Sequence, residues 1–227
     1  MSTTTALPKA PASVRIRNWF GNNILKVYAA IAFIYLLLPV AYTFVFSFND
    51  AGRTNIVWQG FTLDNWKNPC GAPQVCESVV NSIVLALVVT TVSTILGAMI
   101  AFALVRYQFR GRGTTNLTIF LPMATPEVVL GSSLLALFLN IFVPLGFWTV
   151  FIAHVMFCIS FVVVTVKARL ASLDPRLEQA AMDLYASERE TFRKITLPLV
   201  APGIAAAALL AFSLSFDDFI ITNFNSG

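Results

Sequence analysis

The fold depends on one polar stretch, Leu177-Glu178-Gln179-Ala180-Ala181-Met182-Asp183-Leu184-Tyr185-Ala186-Ser187, which continues to Ile195-Thr196-Leu197-Pro198. Asp174 followed by Pro175 predicts a helix start just before it, because Asp is a good N-cap and proline at the first helical position gives up no hydrogen bond. Apolar side chains then recur at the i, i+3, i+4 and i+7 positions of one helical face, and they are Leu177, Ala180, Ala181 and Leu184. We expect an amphipathic helix that docks in a groove, either under its own bundle or on a partner protein.

A second short helix is predicted directly after the first. Ser187 and Glu190 form a capping-box pattern, and Glu190 lies four residues before Lys194, at the spacing of a helical ion pair. Pro198 and the pair Pro202-Gly203 predict a break before the next apolar segment. The stretch is therefore expected to form two short helices at an angle, projecting from the membrane on its cytoplasmic side.

The rest of the chain is too apolar for a soluble protein. Hydrophobic residues make up 57% and charged residues 11% of its 227 positions, which indicates an integral membrane protein. A span needs roughly 20 apolar residues, and five segments qualify, at about 27–48, 79–105, 115–138, 148–166 and 199–222. We expect an all-α, polytopic membrane helix bundle with five spans.

The basic residues predict the orientation of these spans. With the amino terminus in the cytoplasm, the cytoplasmic segments hold thirteen Lys and Arg residues and the outer segments hold two, Arg53 and Lys67. The thirteen are Lys9, Arg15, Arg17, Lys26, Arg106, Arg110, Arg112, Lys167, Arg169, Arg176, Arg189, Arg193 and Lys194. Such an excess is typical of cytoplasmic loops, so we interpret these charges as topology signals and not as a nucleic-acid surface. The fifth span would end outside, and we expect a final helix after residue 227 to be missing.

The chain before the first span has a mixed character. Residues 1–13 are rich in Ser, Thr, Ala and Pro and predict a flexible tail, whereas residues 14–26 mix aromatic and aliphatic side chains with arginines. The second segment fits an interfacial helix on the cytoplasmic leaflet, and a disordered basic lead-in explains it equally well. Residues 27–227 are predicted to form the transmembrane domain, with the cytoplasmic loop at 167–198.

The chain contains three cysteines and one histidine. Cys70 and Cys76 lie in the first outer loop, on the oxidising side of the membrane, where a disulfide is favoured over two free thiols. A metal pair is disfavoured because no histidine or further cysteine is near. Cys158 and His154 lie in the fourth span and are expected to be packing residues. No metal site is predicted.

The polar stretch resembles the EAA loop of permease subunits of bacterial ATP-binding cassette importers, in which Glu-Ala-Ala is followed at fixed spacing by Gly, Ile and Leu-Pro. The matching positions here are Gln179-Ala180-Ala181, Tyr185, Ile195 and Leu197-Pro198. Gln179 replaces the usual Glu, which removes a potential salt bridge to the ATPase, and Tyr185 replaces the usual Gly. We interpret both as variants: Glu178 can supply the missing charge, and the bend can form with Tyr185 in an ordinary conformation.

This resemblance covers nearly the whole chain and implies the type I importer permease fold. It implies that the first short helix is a coupling helix, docked in a groove of the ATPase and passing ATP-driven movement to the spans as alternating access. The residues assigned to ATPase coupling are Leu177, Glu178, Gln179, Ala180, Ala181, Leu184 and Tyr185. The resemblance also places the protein in a bacterial cell membrane.

The partners implied are two ATPase subunits, a second permease subunit, an extracytoplasmic substrate-binding protein and membrane lipid. The chain carries no Gly-rich phosphate loop of the Walker type. We therefore expect a non-catalytic subunit that binds no cofactor itself, with ATP and magnesium used by the separate ATPase.

Intramembrane acids are the candidates for the substrate pathway, because a charge in hydrocarbon is costly and usually faces a cavity. Glu127 lies about twelve residues, or ~18 Å, into the third predicted span, close to the midplane. It follows Pro126 and is predicted to line the pore, unless the segment is only a kink whose acid a neighbouring helix satisfies. Asp217 and Asp218 follow Ser213 in the fifth predicted span, or they begin an outer loop if that span ends early. Acids without an intramembrane base favour a cationic solute.

The segment from Phe212 to Thr222 resembles the equivalent helix of spermidine/putrescine permease subunits of the second-permease type, and Glu127 falls where those proteins carry an acid. Trp66 matches a family tryptophan, which can hold an ammonium by cation–π attraction or anchor the chain at the outer interface. The resemblance implies import of a polyamine along a pathway formed by Glu127, Asp217, Asp218, Trp66 and Ser213. The rivals are an importer for ferric ion or an opine and, from another class, an ion-coupled secondary transporter.

Overall fold

The computed structural model describes residues 12–51, 55–71 and 74–227, and it describes side chains from residue 23 onward. These residues form ten α-helices and one π-helical segment, and the β-structure among them is a single bridge between Asn49 and Phe61. The all-α prediction is confirmed. The chain divides into two compact units, residues 1–76 and 77–227.

The helices have the following bounds: α1 Ala12–Phe46, α2 Asp64–Lys67, α3 Val75–Arg106, α4 Arg112–Ala124, α5 Glu127–Asn140, α6 Phe147–Ala171, α7 Arg176–Asp183, α8 Glu188–Thr191, the π-helical segment Phe192–Thr196, α9 Leu197–Asp217 and α10 Ile220–Asn225. Four helical stretches are long and apolar enough to cross a membrane, namely Asn23–Phe46, Val75–Arg106, Phe147–Ala171 and Glu188–Asp217. The pair α4 and α5 gives a fifth span if it is counted as one.

The first unit begins with the long helix α1. Its large apolar side chains from Ile24 to Val45 are mostly exposed, as expected of a helix that faces lipid or another membrane subunit. The helix continues through residue 26 without a break, so residues 14–26 are not a separate helix. Their position at the membrane surface stays a prediction, and residues 1–11 of the predicted tail lie outside the described residues.

The loop after α1 is organised by the buried side chain of Asn49. Its amide nitrogen donates to Asn55 Oδ1 at 2.8 Å and to the Val57 carbonyl at 2.9 Å, and its Oδ1 accepts from the Gln59 N–H at 2.7 Å. A buried amide with all of these partners fixes the loop as a unit. Further along the loop a disulfide joins Cys70 and Cys76, whose Cα atoms are 5.3 Å apart.

The second unit packs around α6. α9 lies along α6, and α4 and α10 also contact it. The buried core draws side chains from α3, α5, α6, α9 and α10. On α3, a Cβ added to Gly97 would lie 2.6 Å from Val162 Cγ1 of α6, so the close approach of these two helices requires a residue without a side chain.

The third predicted span is not one straight helix. α4 ends at Ala124, α5 begins at Glu127, and the two are bent by 109°. Proline disfavours helical backbone in the residue before it, and Thr125 before Pro126 is extended, with φ −88° and ψ 131°. The span predicted over 115–138 therefore consists of two helices with a sharp bend between them.

The fifth predicted span differs at both ends. At its start, α8, the π-helical segment and α9 run on as one helical stretch, so the break predicted at Pro198 and Pro202 is absent from it. The wider π turn loosens the hydrogen-bond ladder where Pro198 lacks its N–H. At its other end α9 stops at Asp217 and not at residue 222, and α10 follows as a separate short helix.

Candidate functional site

A cavity of about 540 Å³ lies where the end of α9 faces the starts of α3 and α6. We call it the acidic cavity, and its lining residues are Asn81, Ser82, Leu85, Gly146, Phe147, Val150, Ser215, Phe216, Asp217, Asp218, Phe219, Thr222 and Ser226. Two carboxylates and three phenyl rings share this lining. That combination suits an organic cation, because carboxylates pair with ammonium groups and ring faces attract them.

Asp218 shapes the break between α9 and α10. Its Oδ1 accepts the Ile221 N–H at 2.7 Å, so the carboxylate caps the start of α10. Its Oδ2 is shielded from solvent and has no hydrogen-bond partner among the described residues. Glu127 and Asp217 are both within electrostatic range of this carboxylate. The structure thus brings all three predicted acids into one electrostatic neighbourhood, with one carboxylate oxygen left to accept a bond.

His154 of α6 holds the wall behind Asp218. Its Nδ1 lies 2.9 Å from Ser215 Oγ and its Nε2 lies 3.0 Å from Thr222 Oγ1. Thr222 donates its own proton to the Asp218 carbonyl at 2.9 Å, so Nε2 must carry the hydrogen that Thr222 accepts, and in the neutral ring Nδ1 then accepts from Ser215. A neutral His154 with both nitrogens satisfied therefore ties α6 to α9 and α10, as expected of a packing residue.

The other predicted pathway residues lie outside this lining. Glu127 is the exposed first residue of α5 and lies directly after the 109° bend, and its depth in the membrane stays a prediction. Ser213 is exposed on α9. Trp66 belongs to the first unit, where its ring stacks on Phe48 at 5.7 Å between centroids and its Nε1 donates to Ser47 Oγ at 3.2 Å.

The second candidate region is the coupling segment, residues 174–198. Asp174 Oδ1 accepts the Arg176 N–H at 2.9 Å, and α7 begins at Arg176 as the Asp-Pro signal predicts within one residue. Ser187 caps α8 in a capping box with Glu190, and Glu190 Oε1 lies 3.3 Å from Lys194 Nζ. The local signals of the sequence are therefore found in the structure.

The apolar stripe of α7 does not face one surface. Ala181 is buried, whereas Gln179 and Ala180 are exposed. Leu177 lines a cavity of about 150 Å³ against α3, α6 and α9, and Leu184 is 82% exposed. Of the four stripe residues Ala181 alone is buried, Leu177 is half-exposed at the edge of that cavity, and Ala180 and Leu184 are exposed.

Tyr185 departs from the sequence interpretation. Its φ is +62°, in the left-handed region that favours glycine, so the expectation of an ordinary conformation was wrong. The Tyr185 N–H bonds the Met182 carbonyl at 2.9 Å and the Ala186 N–H bonds the Ala181 carbonyl at 3.1 Å. These two bonds form a Schellman motif, which ends α7 with a left-handed residue. The Tyr185 side chain is 98% exposed.

Glu178 has partners within the chain. Its Oε1 accepts from Arg106 Nη2 and from Thr196 Oγ1, each at 2.5 Å. Glu178 was expected to contact the ATPase, and Arg106 was interpreted as a topology signal. A pairing across 72 positions leaves no local signal in the sequence, so it could not be predicted. In this structure Glu178 forms an ion pair with Arg106.

Metal-binding residues do not cluster in the part of the chain that the structure describes: no group of three His, Cys, Asp or Glu side chains there could hold a metal ion.

Residues 78–225 match the family model described as binding-protein-dependent transport system inner membrane component. That range contains the coupling segment and every lining residue of the acidic cavity except Ser226. The family comprises permeases of ATP-binding cassette importers, which work with an ATPase and a second permease subunit.

Curated relatives extend the match to most of the chain. The spermidine/putrescine transport system permease protein PotC of Escherichia coli (strain K12) is 40% identical over 207 residues, covering 91% of this chain and 76% of that protein. The putrescine transport system permease protein PotI of the same strain is 36% identical over 205 residues, covering 87% and 72%. A PotC homolog of Mycoplasma genitalium is 30% identical over 231 residues, covering 93% and 79%.

A solved structure gives an independent view of the fold. The crystal structure of a bacterial ABC transporter involved in the import of the acidic polysaccharide alginate matches with a TM-score of 0.60, covering 92% of this chain and 74% of that one. The identity is 19%, so this likeness concerns the fold alone. It supports the type I importer permease architecture expected from the sequence.

Proposed function

This chain belongs to the family of binding-protein-dependent transport system inner membrane components, and from that premise we propose that it forms half of the pathway through which an ATP-driven importer moves a polyamine. Relatives that are 36% and 40% identical over most of the chain are named as permeases for putrescine and spermidine. The acidic cavity supplies the matching chemistry, since it joins Asp217 and Asp218 to phenyl rings.

The proposal includes the partners and the topology. Two ATPase subunits hydrolyse ATP with magnesium, a second permease subunit completes the pore, and an extracytoplasmic protein delivers the substrate. The excess of basic residues in the segments 1–26, 106–114 and 167–198 supports a cytoplasmic amino terminus. In this orientation the acidic cavity lies toward the outside and the coupling segment lies in the cytoplasm.

One observation carries the substrate assignment: Asp217 and Asp218 line the acidic cavity together with three phenyl rings. Carboxylates pair with the ammonium groups of an organic cation, and ring faces attract them. Asp217 lines the same cavity, and Glu127 lies within electrostatic range of Asp218. Spaced carboxylates of this kind suit a flexible polycation better than a compact anion.

The test is uptake of labelled spermidine and putrescine into proteoliposomes that hold the assembled importer and internal ATP, with the binding protein outside. Asp218→Asn keeps an oxygen that can cap α10 and removes the charge. We expect it to reduce uptake roughly tenfold to a hundredfold, the loss of one charge-assisted hydrogen bond. Asp50→Asn is the matched control, because Asp50 is an exposed acid outside the acidic cavity. This variant should transport normally.

Three outcomes would contradict the proposal. Uptake by Asp218→Asn equal to that of the unchanged protein would remove the cavity from the pathway. Stimulation of ATP hydrolysis by ferric or opine-loaded binding proteins, with none by polyamines, would reassign the cargo. Uptake that persists without ATP or without the ATPase subunits would favour an ion-coupled secondary transporter.

A further inference from the structure

We propose that Arg106, Glu178 and Thr196 form a joint that positions α7 relative to the spans and carries its movement into α3 and α9. This inference rests on the proposed function, because it concerns how the coupling segment acts. The three residues come from three separate elements, the end of α3, the first turn of α7 and the end of the π-helical segment. Each of the three side chains contacts the other two.

The contacts converge on one carboxylate oxygen. Glu178 Oε1 accepts from Arg106 Nη2 and from Thr196 Oγ1 at 2.5 Å each, and Arg106 Nη2 also lies 3.4 Å from Thr196 Oγ1. Thr196 is 1% exposed, and about a third of the Arg106 and Glu178 side chains is exposed. The pair is thus partly screened from water and gains more than a fully exposed ion pair would.

Aromatic packing fixes the arginine from the other side. The Arg106 guanidinium lies over the ring of Phe192, 5.7 Å from its centroid, and Phe192 packs edge-on against Phe102 at 5.4 Å. The cation is therefore held between a carboxylate of α7 and a ring of the π-helical segment. Phe102 lies one turn before Arg106 on α3, so two successive turns of α3 are attached to this joint.

The location of the joint is what gives it a mechanical role. The coupling segment contacts the spans through its inner face, while Leu184 and Tyr185 at its far end are exposed. A push on the far end can reach α9 along the continuous stretch of α8, the π-helical segment and α9, but it reaches α3 through side chains that bridge from α7. The joint is such a bridge, and the π-helical segment beside it has the irregular geometry that often marks functional positions.

The main test compares Glu178→Leu with Thr196→Val in the assembled importer, measuring spermidine uptake and ATP hydrolysis in the same proteoliposomes. We expect Glu178→Leu to assemble and hydrolyse ATP but to lower the number of substrates moved per ATP about fivefold or more. Thr196→Val should act in the same direction with a smaller effect. The double variant should be no worse than Glu178→Leu alone, because both changes break one unit.

The buried Thr196 separates this role from direct contact with the ATPase. If Glu178 acted only by touching the ATPase, Thr196→Val would transport normally and the two effects would add, and either result overturns the joint. Asp64→Asn, which removes the exposed ion pair with Lys67, is the matched control for loss of an ion pair and should leave the ratio of uptake to ATP unchanged.

The remaining outcomes are also decisive. Failure of Glu178→Leu and Thr196→Val to assemble, while Asp64→Asn assembles, would make the contacts a folding feature and overturn the positioning role. If the unchanged importer shows no ATP-dependent polyamine uptake, the proposed function fails first. If the importer works and its variants couple uptake to ATP hydrolysis normally, the joint is overturned and the proposed function stands.

Discussion

The acidic cavity and the coupling segment are built in opposite ways. The acidic cavity combines residues from three distant parts of the chain, and buried neutral hydrogen bonds through His154, Ser215 and Thr222 hold its wall. The coupling segment is built from local signals, caps and turns, and ends in exposed side chains. Changes in the cavity wall should therefore cost stability, and changes at the tip of the coupling segment should cost transport without unfolding the protein.

The largest effect on stability is expected for His154→Leu. This change removes the acceptor of Ser215 and the donor to Thr222 in a buried position. We therefore expect the free energy of unfolding in mixed micelles to fall by about 2 to 3 kcal/mol. Titration with a denaturing detergent, followed by circular dichroism, measures it. His154→Gln keeps an amide in the position and should lose less. If His154→Leu were as stable as the unchanged protein, the hydrogen bonds of His154 would not stabilise the wall of the acidic cavity, and this difference between the two regions would disappear.

The next effect tests the other side of the contrast. Leu184 is 82% exposed, so Leu184→Asp should leave the unfolding curve unchanged, yet it places a charge where an apolar docking contact is proposed. We expect uptake to fall about tenfold, the size of a lost apolar contact at an interface. Leu184→Met should retain uptake. Normal assembly and uptake by Leu184→Asp would count against docking at this end of α7.

The smallest effect concerns the turn after α7. Tyr185 adopts a left-handed conformation with φ +62°. This conformation has a higher free energy for a residue with a Cβ than for glycine. Tyr185→Gly should stabilise the end of α7 by about 0.5 to 1 kcal/mol. The N–H groups of positions 185 and 186 close the motif, and slower amide hydrogen exchange at these two positions in the variant would show the gain in stability. Tyr185→Ala keeps the Cβ and should give no such gain, and faster exchange in Tyr185→Gly would contradict the explanation.

The two regions also differ in how far the sequence predicted them. In the coupling segment the capping box of Ser187 and Glu190 and the start of α7 near Asp174 follow from neighbouring residues, and the structure has them. The pair of Arg106 with Glu178 joins residues 72 positions apart, and no periodicity records such a contact. The cavity could be predicted only as a set of acids, because the three elements that line it come together through packing.

Errors in the spans have a common physical cause. Hydropathy measures how apolar a segment is and does not report its bends. It therefore joined α4 and α5 across Pro126 and extended α9 past Asp217, where a side-chain cap begins a new helix. The same limit applies to Tyr185, whose identity argued against the left-handed backbone that the Schellman motif required of it.

The sequence by itself determined the all-α membrane class, the family and the local caps, because composition, spacing and short-range hydrogen bonds are properties of neighbouring residues. The tertiary structure alone decided the 109° bend, the left-handed Tyr185, the wall of His154 behind Asp218 and the joint of Arg106, Glu178 and Thr196. Each of these depends on groups that are distant in the chain or on a backbone that packing holds in an uncommon conformation.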